Sequence, residues 1–399
     1  MKKVCAGSVL ALALAALPLP AEDPKAEPKP DPDALAKKLV TQCARVKDGD
    51  IVQISGGARD AELLESLAVE AAKLGADPLL TLTPGDRTSR RLFLDVPAKY
   101  DSRTSPLGLK LAETVTVTIA VDAGESDAAL LDVPAERFNA RMAAAVPIME
   151  KMLKRNVRQV ALGNGLYPTE ARAKQYGLTR AEMTKLFHDG LNVDYDKMQA
   201  TGEAVRKTLA AGKKVHVRTP EGTDLTFAVE KRPVFVSDGV LTEEKVKKGG
   251  AACQMWLPAG EVYLAPVAGT AEGKVVVDRM LWEGKEVRGL SLTFKAGKLT
   301  EMKAKSGLDR VQALYDAAGA GRDEFSFVDV GINPAVRMPK NSPSGVFIEA
   351  GTVTVGTGNN VWAGGDNKCS FGVAAFLRGG TLEVDGKALV QDGALKAAP

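Results

Sequence analysis

Residues 256–270, Trp256-Leu257-Pro258-Ala259-Gly260-Glu261-Val262-Tyr263-Leu264-Ala265-Pro266-Val267-Ala268-Gly269-Thr270, decide how this chain is read. The Pro258-Ala259-Gly260 turn opens into a short strand at 262–264, so Glu261 stands at the lip of a sheet, where a carboxylate can be held rigidly. The second informative feature is an absence. The chain has 2 histidines, His188 and His216, and both precede Glu261. A hydrolytic metal centre gathers several donors, usually with imidazole among them.

The rest of the composition frames that tension. A chain of 399 residues is long for one core and suggests two domains. Aromatic residues make up only 5%, so Ala, Val and Leu must fill most of the interior. The formal net charge is +3, with Lys2 and Lys3 supplying two of the positive charges, which points to neither a nucleic-acid face nor a membrane-surface patch. Lys2-Lys3, the short apolar run 9–17 and Ala21 have the layout of a secretory signal peptide over 1–21; an uncleaved anchor is the alternative. The expected location is outside the cytoplasm, periplasmic or extracellular, with no membrane span after cleavage. Residues 22–34 alternate proline with charge and read as an extended tether. Cys43, Cys253 and Cys369 then remain, either as one bridge with a free thiol or as three buried thiols.

Beyond the tether the pattern is α/β. Asp33 can cap a helix through Val46, and Asp60 the next one, which ends at Gly75. Short apolar runs at 51–54, 78–82, 114–121 and 157–162 alternate with helical periodicity, including a long helix at 134–153. This predicts an N-terminal α/β domain with a short parallel sheet over 35–212. Three helices fill 168–211, starting near Pro168 and Thr179 and stopping at Gly177, Gly190 and Gly212. From Lys213 the character turns to short alternating strands with one helix near 307–318. This predicts a β-rich α+β domain over 213–395. Ser55-Gly56-Gly57 reads as a plain strand–helix turn, with a small anion-binding turn as the other option. Lys245 to Gly250 reads as a solvated loop.

Five segments in order resemble the aminopeptidase T family of metallo-aminopeptidases, the thermophilic metalloproteases. They are Tyr167-Pro168-Thr169-Glu170 with Gly177-Leu178-Thr179; Pro220-Glu221-Gly222-Thr223-Asp224; Leu257-Pro258-Ala259-Gly260-Glu261 with Gly269-Thr270-Ala271-Glu272-Gly273; Gly331-Ile332-Asn333-Pro334; and Gly351-Thr352-Val353 with Gly358-Asn359-Asn360 and Gly364-Gly365. The resemblance extends over roughly residues 35–390. It implies a C-terminal domain of the aminopeptidase T type, a homodimer, and a two-metal site in that domain.

Carried over one by one, the family's ligands fare badly. The glutamate of the Pro-small-Gly-Glu turn falls on Glu261. A second family glutamate falls on Phe327, with Asp329 or Glu324 as substitutes if the register shifts. A family histidine falls on Thr354, and a His-x-Asp pair on Gly372 and Ala374. Glu324, Asp329, Glu349 and Asp366 offer hard oxygen donors suited to Mg²⁺ or Ca²⁺ rather than to a tight Zn²⁺ or Fe²⁺ site. Carboxylates of this kind are usually solvated, and that is expected of them here. Glu261 is either a retained ligand or a structural relic. His216 shares a strand face with Lys214 and Arg218 and is expected to face solvent; His188, at a helix C-terminus, is expected to meet the helix dipole.

Two functions remain in view. One is an exported aminopeptidase T-like protein lacking the two-metal peptidase chemistry, a pseudoenzyme or binding protein with no cofactor, whose old cleft holds a peptide, another small molecule or nothing. The other is an exported metallo-aminopeptidase with a rebuilt, oxygen-rich site using divalent metal ions. The ring-cleaving dioxygenase branch of the fold needs histidine and aspartate at Gly372 and Ala374 and ranks last.

Overall fold

The computed structural model describes residues 31–396, and residues 32–396 belong to one compact unit. The expected leader at 1–21 and most of the tether lie outside the described residues. Helix α1 (Pro32–Lys38) begins inside the expected tether and runs into a π turn at Leu39–Cys43. Asp33 therefore sits in the first turn of the helix rather than before it.

Strand β1 (Ile51–Gly56), helix α2 (Ala61–Lys73), strand β2 (Asp77–Leu82), helices α3 (Asp86–Leu94) and α4 (Pro106–Thr114), strand β3 (Val117–Val121), helix α5 (Ala135–Lys154) and strand β4 (Arg158–Leu162) build the alternating layer. The half-buried strands alternate because one face meets the core: β3 and β4 both bury every second residue. Asp60 flanks α2 without capping it through its side chain; the Tyr167 hydroxyl donates to its Oδ1 instead. Gly57 leads into a short 3-10 turn at Ala58–Asp60 before α2.

Helices α6 (Glu170–Tyr176), α7 (Arg180–Leu191) and α8 (Tyr195–Ala211) follow. Thr169, Thr179 and Asp194 cap them through their side chains, and Thr179 with Glu182 closes a reciprocal capping box. Gly177 ends α6 at φ 74, where only glycine is comfortable. Gly190 does not end α7, which runs on to Leu191. Its missing side chain makes room for Pro258, whose Cβ would lie 3.0 Å from a Cβ at position 190.

The second half is strand-rich: β5 (Lys214–Arg218), β6 (Asp224–Ala228), β7 (Phe235–Ser237), helix α9 (Glu243–Lys248), β8 (Gln254–Leu257), β9 (Glu261–Leu264), β10 (Glu272–Trp282), β11 (Lys285–Lys295), β12 (Lys298–Lys303), helix α10 (Asp309–Ala317), β13 (Phe325–Gly331), β14 (Val353–Thr357), β15 (Ala374–Leu377), β16 (Thr381–Val384), β17 (Lys387–Gln391) and β18 (Ala394–Leu395). The expected loop at 245–250 is mostly helical, with Lys245 folded inward onto Asp238 at 2.5 Å.

Three sheets result, in the orders β2-β1-β3-β4-β8, β12-β11-β10-β6-β5-β16-β17-β18 and β15-β14-β13-β9-β7. The first is parallel throughout and the third antiparallel. Strand β8 lies beyond residue 212 in sequence yet completes the parallel sheet, pairing Leu257 with Leu162. The chain then turns through Pro258-Ala259-Gly260 straight into β9 of the third sheet, which puts Glu261 at the junction of the two. Cys43, Cys253 and Cys369 are all free and buried. Among the described residues no helix is long and apolar enough to cross a membrane.

Candidate functional site

The turn before Glu261 is held by the Gly331-Ile332-Asn333-Pro334 segment. Asn333 is fully buried and donates from Nδ2 to the Ala259 carbonyl at 2.7 Å and to the Gly190 carbonyl at 3.0 Å. Gly260 has φ 137, and a Cβ there would fall 2.8 Å from the Asn333 backbone nitrogen. The glycine is therefore set by a close backbone approach as well as by its dihedral. Two motifs that are far apart in sequence are thus two sides of one contact.

Directly paired residues of an antiparallel sheet share a face. Ser237 pairs with Glu261, Glu261 with Gly331, Tyr263 with Asp329, Asp329 with Thr354, Thr354 with Phe376, Phe327 with Gly356, and Gly356 with Ala374. Glu261, Asp329, Thr354 and Phe327 therefore lie on one face. The opposite face, with Val262, Leu264, Val328, Val330 and Val355, joins the main core.

The two carboxyls on this face are deeply buried, Glu261 at 3% exposure and Asp329 at 0%. Asn164, from the loop after β4, donates to Glu261 Oε1 at 2.6 Å and to the Pro258 carbonyl at 3.1 Å. Burial pushes the Glu261 carboxyl up to about 7, with the Asn164 hydrogen bond opposing the shift. Asp329 is held well above the usual carboxylate range, first by burial and then by the neighbouring Glu261 charge. Neither oxygen of Asp329 has a hydrogen-bond partner, and the hydroxyl of Thr354 has none either.

The other sequence candidates are elsewhere. Glu324 pairs with Lys298. Glu349 accepts from the Met338 amide at 3.2 Å and faces Arg378 at 3.4 Å. Asp366 is exposed. So the expectation of solvated carboxylates holds for Asp366 and fails for Asp329 and Glu349, because β13 is buried on both faces and the 349 loop packs beneath Arg378. His216 meets Asp224 at 2.7 Å on a half-exposed strand, and His188 packs edge-on against Phe187 in the last turns of α7.

At Phe327 and Gly372, two of the positions on which the resemblance placed family ligands, the space is occupied. The Phe327 ring lies over Gly356, where a Cβ would come 2.4 Å from its Cε1, and packs edge-on against Trp362 at 5.3 Å between centroids. Trp362 in turn meets Tyr263 at 5.2 Å and Trp256 at 5.6 Å, and Trp256 meets Tyr263 at 5.0 Å. A Cβ at Gly372 would fall 2.7 Å from the Thr357 carbonyl oxygen, so that position is closed by backbone. Sequence reasoning missed this aromatic layer. The signal was present, since two of the chain's 3 tryptophans flank the Glu261 and Gly364-Gly365 motifs.

A two-metal hydrolytic site needs about six or more convergent donors, with imidazole or several carboxylates among them. This face offers Glu261, Asp329, the Thr354 hydroxyl and the Asn164 amide. Among the described residues no three His, Cys, Asp or Glu side chains converge so as to hold a metal. The donor set does not fit a two-metal centre.

Over residues 30–341 the chain matches the family of thermophilic metalloproteases (M29). The match ends before Thr354, Gly372 and Ala374. It is 25% identical over 310 residues to aminopeptidase PepS of Streptococcus thermophilus, covering 68% of this chain and 70% of that protein. In structure it is similar to AmpT of Thermus thermophilus, with a TM-score of 0.64, 19% identity and coverage of 92% of this chain and 98% of the other. It is also similar to the 2,5-dihydroxypyridine dioxygenase of Pseudomonas putida KT2440, with a TM-score of 0.60, 15% identity and coverage of 92% and 97%. With the family model matching most of its length and the fold shared with AmpT, this chain belongs to the thermophilic metalloprotease (M29) family of aminopeptidases.

Proposed function

We propose that this protein is an exported, non-hydrolytic member of its family, which keeps the fold as a binding scaffold. The observation that carries this is the aromatic layer. Phe327, Trp362, Tyr263 and Trp256 pack over the face on which Glu261 and Asp329 are buried, in place of ligands and of an open path for substrate. A catalytic water needs a tightly held cation to reach useful acidity near neutral pH, and a reacting peptide needs access to it.

The ligand class we assign is a peptide with a free amino group. A cleft of about 570 Å³ lies beyond the carboxyl ends of β2 and β3, the usual place for a ligand on a parallel sheet. Asp86, Asp122, Asp127 and Glu283 line it together with Leu130 and Phe138; Asp122 and Asp127 are paired with Arg172 and Glu283 with Arg310, which leaves their other oxygens to meet an ammonium group. Titration calorimetry with apolar dipeptides and their N-acetylated forms tests this. Binding of the free form alone supports the assignment; equal binding, or none, removes the peptide and leaves the loss of hydrolysis to be judged on metal content.

A second reading is favoured by one specific observation. Both Asp329 oxygens and the Thr354 hydroxyl lack partners beside Glu261, and buried polar atoms left in this state can mark an ion or water. A single hard cation such as Mg²⁺ would suit those oxygens. Titration with Mg²⁺, Ca²⁺ and Zn²⁺ separates the two readings: saturable binding that Asp329→Asn abolishes supports the rebuilt site.

A further inference from the structure

The parallel sheet carries a second cleft, at the end opposite the one beyond the carboxyl ends of β2 and β3. It measures about 590 Å³ and lies where β1, β3 and β4 begin. Its charge is lopsided. Arg45, Lys47, Arg155 and Arg158 line it, against Asp48 and Asp50. A cleft lined by one sign of charge focuses the field and concentrates ions of the other sign.

The two acids do not cancel the four cations. Asp50 is used up inside the fold: it is 3% exposed and takes the Arg158 guanidinium, the Thr116 hydroxyl at 2.9 Å and the Lys47 amide at 2.8 Å. Asp48 is turned onto Gly75, where a Cβ would come 2.3 Å from its Oδ1. Arg45 reaches Glu243 at 2.6 Å, and its carbonyl accepts from Arg158. Arg155 donates through Nη1 alone, to the carbonyls of Ala112 at 2.7 Å and Val115 at 2.8 Å. Those bonds fix the plane of the guanidinium and leave Nε and Nη2, the two donors of one edge, without a protein partner among the described residues. The Lys47 ammonium makes no hydrogen bond or ion pair among the described residues either. Two cations in one cleft, one preset and one on a flexible stem, therefore lack a carboxylate.

We infer that this cleft binds a phosphate group. The Nε and Nη2 edge of Arg155 matches two phosphate oxygens with parallel hydrogen bonds, and Lys47 adds a point charge on a third. A phosphate group near neutral pH carries close to two negative charges, which answers the two cations left over; a carboxylate brings only one. The group is either the free ion or the end of a small phosphate ester, and a cleft of this size admits both. Arg158, 6% exposed and locked on Asp50, serves as the floor of the site rather than as a ligand. The inference is independent of the proposed loss of hydrolysis, since it concerns the other end of the sheet.

Titration calorimetry of the mature protein with inorganic phosphate and with glycerol phosphate, in chloride buffer of fixed ionic strength, tests it. At least one of the two probes should bind saturably, at one site per chain. Binding of both assigns the free ion or the ester equally; binding of glycerol phosphate alone assigns the ester. Lys47→Gln and Arg155→Gln should each weaken binding by about tenfold, the loss of one charge-assisted contact. Lys99→Gln, an exposed cation outside the cleft, should leave it unchanged. Lys47 is exposed and unbonded, so its substitution spares the fold. Arg155 holds two backbone carbonyls, so the unsubstituted protein supplies a second readout: the bound probe should slow acetylation of Lys47 and not of Lys99, as read by peptide mass spectrometry. No saturable binding of either probe overturns the inference. Binding that Lys47→Gln leaves unchanged, with no protection of Lys47, overturns it as well and makes these cations a solvated face.

Discussion

Replacing Glu261 by glutamine should make this protein more stable in alkali and change it little in acid. The side chain is buried and accepts one hydrogen bond from Asn164, which a glutamine oxygen can accept equally well. Burial lifts the carboxyl from 4.5 to about 7. The folded state therefore binds this proton more tightly than the unfolded chain does. The stability from that proton is fully present below pH 4.5 and is lost as pH rises through 7. At about 1.4 kcal/mol per pKa unit, the loss is roughly 3 kcal/mol between about pH 5 and pH 8. Asp329 adds to it in the same direction. Glutamine has no proton to lose, so Glu261→Gln should match the wild type near pH 5 and exceed it by roughly 3 kcal/mol at pH 8.5. Urea unfolding followed by tryptophan emission at the two pH values reads this, because Trp256 and Trp362 both pack on Tyr263, the ladder partner of Asp329. A variant less stable than the wild type at pH 8.5 would refute the reasoning. It would mean that the carboxylate is charged and neutralised by a bound cation.

Other predictions concern the frame and the processing of the chain. Asn333→Ala removes two bonds to the Ala259 and Gly190 carbonyls and one from the Ala335 amide, and denaturant titration should show a loss of roughly 3 kcal/mol at about 1 kcal/mol per bond. Gly260→Ala forces a Cβ against Asn333 at φ 137, and the same titration should register at least about 2 kcal/mol of destabilisation; an unchanged midpoint counts against the close approach. Intact-mass measurement of protein from its native cell should give a chain starting near Glu22, and a soluble cytosolic form starting at Met1 counts against export.

What the sequence discloses follows from the range of the forces involved. The strand-helix alternation, the capping threonines at 169 and 179 and the turn before Glu261 are local, and each is readable from a few neighbouring residues. Helices α3 and α4 escape that reading; α3 spells Asp-Arg-Thr-Ser-Arg-Arg-Leu-Phe-Leu, with only Phe93 buried and no apolar stripe to announce it. The return of β8 to the parallel sheet depends on pairing with β4, nearly a hundred residues earlier, which no local pattern encodes. Asp329 looks like a surface carboxylate because its strand is buried on both faces and lacks the period-two signal that would betray a buried charge. The motif order singles out Glu261, and the third sheet sets Asp329, Phe327 and Thr354 on the same face as it. The motif order gives no account of what fills the space between them. That space is decided by Trp256, Tyr263 and Trp362 meeting from three separate segments.

We propose that the family's two-metal peptidase chemistry is missing from this chain. Elemental analysis of the mature protein, purified without chelators, combined with hydrolysis of a panel of aminoacyl substrates, tests it most directly. No stoichiometric Zn²⁺, Co²⁺ or Fe²⁺ is expected, and no hydrolysis that differs between the wild type and Glu261→Gln. One or two tightly bound metals per chain, together with a peptidase rate that Glu261→Gln abolishes, would contradict it.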